Sequence, residues 1–205
     1  MKHIICLLLF CNLSLFAQKE ITHNFTIDND VHTLFFNLND VFQVTIHTIQ
    51  QQHIKITARS EGEYANYFVL DEIQEGETFT ITGDISFIFP DFQDKLSAHK
   101  VHAISVDVWL PKNLQVVLQS DIANVSISGN FESFRADLSS GNCFLTQISG
   151  KITASSVSGN IVLYANAGNL ITETNIGTIS KIKLTAGASS YVLKTNKGDI
   201  TVKHL

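Results

Sequence analysis

Hydrophobic and polar positions in the second half of the chain recur every 18 residues. Val116, Phe134, Ile152 and Leu170 make one apolar column, and Tyr191 joins it after a three-residue slip. Leu118, Ala136, Ala154, Thr172 and Leu193 make a second column two residues on. Beyond a turn come Val125, Cys143, Ile161, Ile179 and Ile200, then Ile127, Leu145, Leu163 and Val202. Alternate residues therefore point inward on two short strands per repeat, the period-two signature of a half-buried strand. A repeat of this length cannot bury its own apolar face, and its neighbours in the stack do that for it. The turns repeat too, as Ala123-Asn124, Gly141-Asn142, Gly159-Asn160, Gly177-Thr178 and Gly198-Asp199. Glycine admits a tight corner, and asparagine can bond backbone there. Asn124, Asn142 and Asn160, with Thr178 in the same place and Asp199 at the late repeat, either stack so that the asparagines form an internal amide ladder or face solvent as ordinary turns. Lys181 falls in the Ile127 column and predicts a kink or register shift in that coil.

The first half alternates less regularly. Phe42, Val44 and Ile46 alternate with Gln43, Thr45 and His47, and Ile54 and Ile56 alternate with Lys55 and Thr57. Tyr67 and Val69, then Phe79 and Ile81, begin further strands around an acidic turn at Gly76. Residues 87–102 alternate poorly and read as a long surface loop. Ile104, Val106 and Val108 resume the alternation before Pro111. The expected fold is all-β. It is a single-strand-per-side parallel β-solenoid, right-handed and β-helix-like, with a less regular β-rich N-terminal half. Residues 18–103 would form that half or a cap, and residues 104–205 the repeats, as one continuous domain.

Composition refines this picture at the N-terminus. Lys2 and His3 precede an apolar run of 13 residues, Ile4–Phe16, followed by Ala17-Gln18. That is the layout of an export signal over residues 1–17. It is shorter than the ~20 residues a membrane-spanning helix needs. The expected location is exported, either periplasmic or at the cell surface. Leu9-Phe10 ahead of Cys11 are too bulky for a lipoprotein cleavage site. With Cys6 and Cys11 in the leader, Cys143 alone remains, which leaves no internal disulfide. The net charge is −5, and loss of Lys2 with the leader takes it to −6. That balance disfavours nucleic acid and anionic membrane surfaces as partners.

Together, the leader, "VDVWLP" (Val106–Pro111), "SSGNCFL" (Ser139–Leu145), "SVSGNIVL" (Ser156–Leu163) and "NKGDITV" (Asn196–Val202) resemble the DUF4097-like, DUF2807-related family of bacterial exported adhesin-type proteins. The resemblance is clearest over residues 104–205. It implies an exported β-solenoid that works as a cell-envelope scaffold or binding module, with an envelope protein or glycan as partner.

Candidate chemistry is sparse. His99 and His102, with Asp91 and Asp94, could in principle approach a divalent ion, but Lys100 opposes a cation and the spacing fixes no third ligand. The alternative function is a glycan-active enzyme built on the outward column Gln119, Asp137, Ser155, Glu173 and Lys194. Asp137 and Glu173 would lie two strand spacings apart, roughly 9–10 Å, near the upper limit of ~6.5–9.5 Å for an inverting pair. Arg135 and Lys194 stand beside them and oppose a general-acid role. No cofactor motif occurs, and the expected function is non-catalytic. His47 and His53 read as exposed. Lys194, Lys197, Lys203 and His204 cluster on what reads as the last, bare strand, where lysines blunt an edge; end-to-end self-association through the terminal coils is the corresponding expectation.

Overall fold

The computed structural model describes residues 19–26, 30–61, 67–85 and 103–205. The leader at 1–17 and the whole of the 87–102 loop, including Asp91, Asp94, His99 and His102, lie outside the described residues. The chain is all-β, with no α-helix among the described residues.

The strands are β1 (Lys19–Thr26), β2 (Thr33–Asn37), β3 (Gln43–Ile49), β4 (His53–Glu61), β5 (Phe68–Glu75), β6 (Thr78–Ile85), β7 (Ala103–Pro111) and β8 (Gln115–Ser120). Then follow β9 (Asn124–Ser140), β10 (Cys143–Ser158), β11 (Ile161–Tyr164), β12 (Ala167–Ile176), β13 (Ile179–Ser180), β14 (Thr185–Lys197) and β15 (Ile200–Lys203). They form two ladders. The first runs β1-β4-β7-β3, through the beginnings of β9 and β10, to β11-β15-β13. The second runs β5-β6-β2-β8, through the ends of β9 and β10, to β14-β12. From β7 and β6 onward, every pairing in both ladders is parallel. Only β1-β4, β4-β7 and β5-β6 are antiparallel. One strand of each ladder and the corner joining them make a layer.

The apolar columns stack as neighbours. Val116 pairs with Phe134 and Phe134 with Ile152, all nearly fully buried. Val125, Cys143 and Ile161 are likewise in register with no exposure. Each such side chain contributes roughly 1.5–3 kcal/mol through removal from water. The core is one cluster that also takes in Leu34, Phe36, Val44, Ile46, Ile56 and Val108 from the first half. The β2/β3 layer is part of the parallel stack, because β2 lies between β6 and β8 and β3 between β7 and β9. Phe42 departs from its expected alternation: it sits in the corner before β3 and is 52% exposed.

Layer order departs from chain order. The last layer, β14/β15, sits directly on the ends of β10 and on β11; β12/β13 lies outside it. Tyr191 therefore packs between Ile152 and Leu170, and Leu193 between Ala154 and Thr172. The physical reason lies in the inward residues. Tyr191, Leu193, Ile200 and Val202 are apolar and at most 3% exposed, which suits a layer covered on both sides. The earlier repeat offers Leu170, Thr172 and Ile179 opposite Tyr191, Leu193 and Ile200; Thr172 is polar and Ile179 is 40% exposed, which suits the open end. β13 ends at Ser180, Lys181 is exposed, and Ile182 and Leu184 pack against the core in its place, the register shift expected at this coil. The expectation of a bare edge at the final strands is corrected by the layer order. β14 and β15 each have two neighbours, and the edge is β12/β13, with Ile176 63% and Ile179 40% exposed.

Candidate binding groove

Two outward columns of the second ladder line a groove of about 640 Å³. The first column runs Gln119, Asp137, Ser155, Lys194, Glu173. The second runs Asp121, Ser139, Val157, Asn196, Asn175, one pleat closer to the corner. These positions face solvent because the alternate residues between them (Leu138, Ser156, Thr195) turn inward and are buried. Side chains brace one another along each column. Ser139 Oγ donates to Asp121 Oδ1 at 2.9 Å, and Asn175 Nδ2 donates to Asn196 Oδ1 at 2.8 Å. Val157, 58% exposed, is an apolar step in an otherwise polar floor.

The groove holds three carboxylates, Asp121, Asp137 and Glu173, against one ammonium, Lys194. Lys194 Nζ lies 2.9 Å from Glu173 Oε2, and Arg135 Nε donates to Asp137 Oδ2 at 2.7 Å. The hydrogen bond to Asp137, then its charge, raises the Arg135 pKa above its ordinary value. Both pairs are largely exposed, the class of ion pair worth ~0–1 kcal/mol.

The spacing of Asp137 and Glu173 differs from the sequence expectation. Ser155 and Lys194 both stand between them, so the pair is three strands apart instead of two. Three strand spacings amount to about 14 Å, well beyond the ~6.5–9.5 Å of an inverting carboxylate pair. The exchange of the last two layers is the cause.

The corner beside the groove carries the Gly/Asn ladder. Asn124 Oδ1 accepts from the backbone N–H and Nδ2 of Asn142, both at 3.1 Å. Asn142 Oδ1 accepts from Asn160 N at 3.0 Å. The next rung is Asp199, whose N–H donates to Asn160 Oδ1 at 2.8 Å, and Thr178 comes last, donating N–H and Oγ1 to Asp199 Oδ1 at 2.7 and 2.9 Å. Thr178 therefore does not follow Asn160 directly. The two Thr178 donors, the backbone one first, hold the Asp199 carboxyl below its usual pKa. Gly141, Gly159, Gly198 and Gly177 precede these rungs in the same spatial order. A Cβ on Gly159 would lie 1.9 Å from the Gly141 carbonyl oxygen, so the close stacking of corners requires glycine there.

Cys143 is fully buried in its apolar column, and burial pushes its thiol up to about 12. His47 and His53 are half-buried, not exposed, and His47 Nδ1 lies 2.6 Å from Ser128 Oγ. Among the described residues no group of three or more His, Cys, Asp or Glu side chains is placed to hold a metal ion. No helix among them is long and apolar enough to cross a membrane. The 18-residue spacing located the first groove column; the second column, with Val157 and Asn196, was legible only as the outward positions of the same strands.

No protein-family profile matches the chain, and no curated protein does. Solved structures do. A "putative cell adhesion protein" from Clostridium sporogenes superimposes with a TM-score of 0.63 at 11% identity, over 91% of this chain and 100% of that one. "Putative adhesin" structures from Bacteroides fragilis (TM-score 0.38, 13% identity, 91% and 97% coverage) and Parabacteroides merdae (0.27, 15%, 91% and 96%) also match. At these identities the Clostridium likeness is one of fold, and it extends over nearly the whole chain.

Proposed function

We propose that this protein is an exported, non-catalytic binding module of the cell envelope, of adhesin type, whose stacked layers form a β-solenoid. The observation that carries the reading is the groove. Its floor spans five neighbouring strands, so hydrogen-bonding groups are spaced at the ~4.8 Å strand repeat. An extended glycan or polypeptide laid across the strands meets a row of carboxylates, amides and hydroxyls, with Val157 as an apolar contact at its centre. Asp137 and Glu173, each held in an ion pair, present carboxylate oxygens that accept hydrogen bonds from a ligand. The likeness in fold to the Clostridium sporogenes "putative cell adhesion protein" agrees with this reading.

The test is binding of the full chain to a glycan microarray and to purified envelope proteins. A Ser155→Arg/Val157→Arg variant, with both changes outward and on the groove floor, serves as the comparison. The reading expects saturable binding that the variant loses while its circular dichroism is unchanged. Binding that survives in the variant, or none to either class, would overturn it.

A further inference from the structure

A second concave site lies on the outer face of the first ladder, away from the groove. Its volume is about 370 Å³, and it is lined by Ile49, Gln50, Gln51, His53, Lys55 and Trp109. That volume is at the lower end of the ~300–1,000 Å³ range of small-ligand sites. Register explains the cluster. Lys55 on β4 and His47 on β3 are the direct cross-strand neighbours of Trp109 on β7. His47, anchored by Ser128, flanks the indole at 6.4 Å between ring centroids, and the Lys55 ammonium lies 5.3 Å from the indole centroid on β4's side.

The lining is selective by what it contains and what it omits. In a chain of net charge −5, no carboxylate among the described residues lines this site. Asp107, two residues before Trp109 on the same face, is engaged by the Arg59 guanidinium, which also binds Glu20. Lys55 is therefore the site's one fixed charge, and it is positive. A single fixed positive charge suits a ligand with one negative charge, such as a lone carboxylate, better than a polyanion. Gln50 and Gln51 are exposed, and each offers both a donor and an acceptor, matching hydroxyls that do the same. Ile49 is the only aliphatic wall, too little for a lipid tail. Trp109 supplies a flat ring, and an exposed lysine leaves such a ring at little cost.

We propose that this pocket binds an acidic saccharide. The C–H face of a pyranose packs on Trp109, its carboxylate takes the Lys55 ammonium, and its hydroxyls bond Gln50 and Gln51. The site is independent of the groove.

Trp109 is the only tryptophan, so its fluorescence reports on this pocket alone. The full chain is titrated with methyl glucuronide, N-acetylneuraminic acid and methyl glucoside. At least one acid is expected to change the emission saturably, with the neutral sugar about tenfold weaker, the worth of one charge-assisted hydrogen bond. Lys55→Met should erase that preference, and Gln51→Ala should weaken both classes. Ser155→Arg/Val157→Arg should leave the titration unchanged, which separates this proposal from the groove. No saturable change with either acid, equal affinity for the neutral sugar, or a preference that survives Lys55→Met would each overturn it.

Discussion

Gly159→Ala tests the corner ladder at its tightest point. The added Cβ would start 1.9 Å from the Gly141 carbonyl oxygen, whereas real Cβ atoms essentially never come within 3.0 Å, so the two corners must part by about 1 Å. Parting them stretches two hydrogen bonds between these layers: Gly141 N–H to Ser158 O at 3.1 Å and Asn160 N–H to Asn142 Oδ1 at 3.0 Å. Each lost bond costs about 1 kcal/mol, and loosening a third, from the buried Cys143 N–H to Asn160 O at 2.9 Å, leaves a buried donor unsatisfied at a further ~1–3 kcal/mol. The expected loss is therefore roughly 3–5 kcal/mol, or a fall in Tm of about 10 °C for a chain of this size. Gly76→Ala is the matched control. Gly76 has φ +58°, but nothing lies within 4 Å of the position its Cβ would take, so only the left-handed penalty of ~1–2 kcal/mol applies. Urea and thermal unfolding followed by circular dichroism measure both, and amide exchange at Cys143 and Asn160 localises the damage. If Gly159→Ala costs no more than Gly76→Ala, the corners are not held by close stacking and the reasoning fails.

Three other outcomes follow from the structure. Asp199 has a folded pKa below its ordinary 3.8, so its stabilisation is present above that value and lost as pH falls through the folded pKa; Asp199→Asn should flatten the unfolding free energy below pH 3.8, and an unchanged acid limb would count against the Thr178 contacts. Cys143, with its thiol at about 12, should resist alkylation at pH 8 in the folded protein and react only after denaturation; rapid native-state labelling measured by mass spectrometry would contradict its burial. Ile176→Lys with Ile179→Lys, at the open β12/β13 edge, should reduce concentration-dependent light scattering without loss of Tm, whereas neutralising Lys197 and Lys203, on strands with two neighbours each, should leave scattering unchanged.

The apolar columns were legible because inward residues of successive layers touch, and the 18-residue period preserves that phase from Val116 to Ile152. The order of the last layers was not, because a period says which residues share a column and not which neighbour each one meets. Composition held the missing clue. Thr172 is inward where one side is open, while Tyr191, Leu193 and Val202 need cover on both. The same oversight misplaced Glu173 relative to Asp137. The Trp109 pocket was out of reach for another reason: β4, β7 and β3 pair across separations in sequence that no local pattern encodes.

The exchange of layers also has a mechanical meaning. Tension applied through residues 200–205 does not peel an outermost strand. β15 is gripped by β11 on one side and β13 on the other, so a pull must shear two rows of backbone bonds together. Deleting residues 185–205 would likewise not shorten the column by its last floor; it would remove an inner one and strand the β12/β13 floor above a gap. Load entering through β15 is thus shared by two neighbouring floors before either gives way.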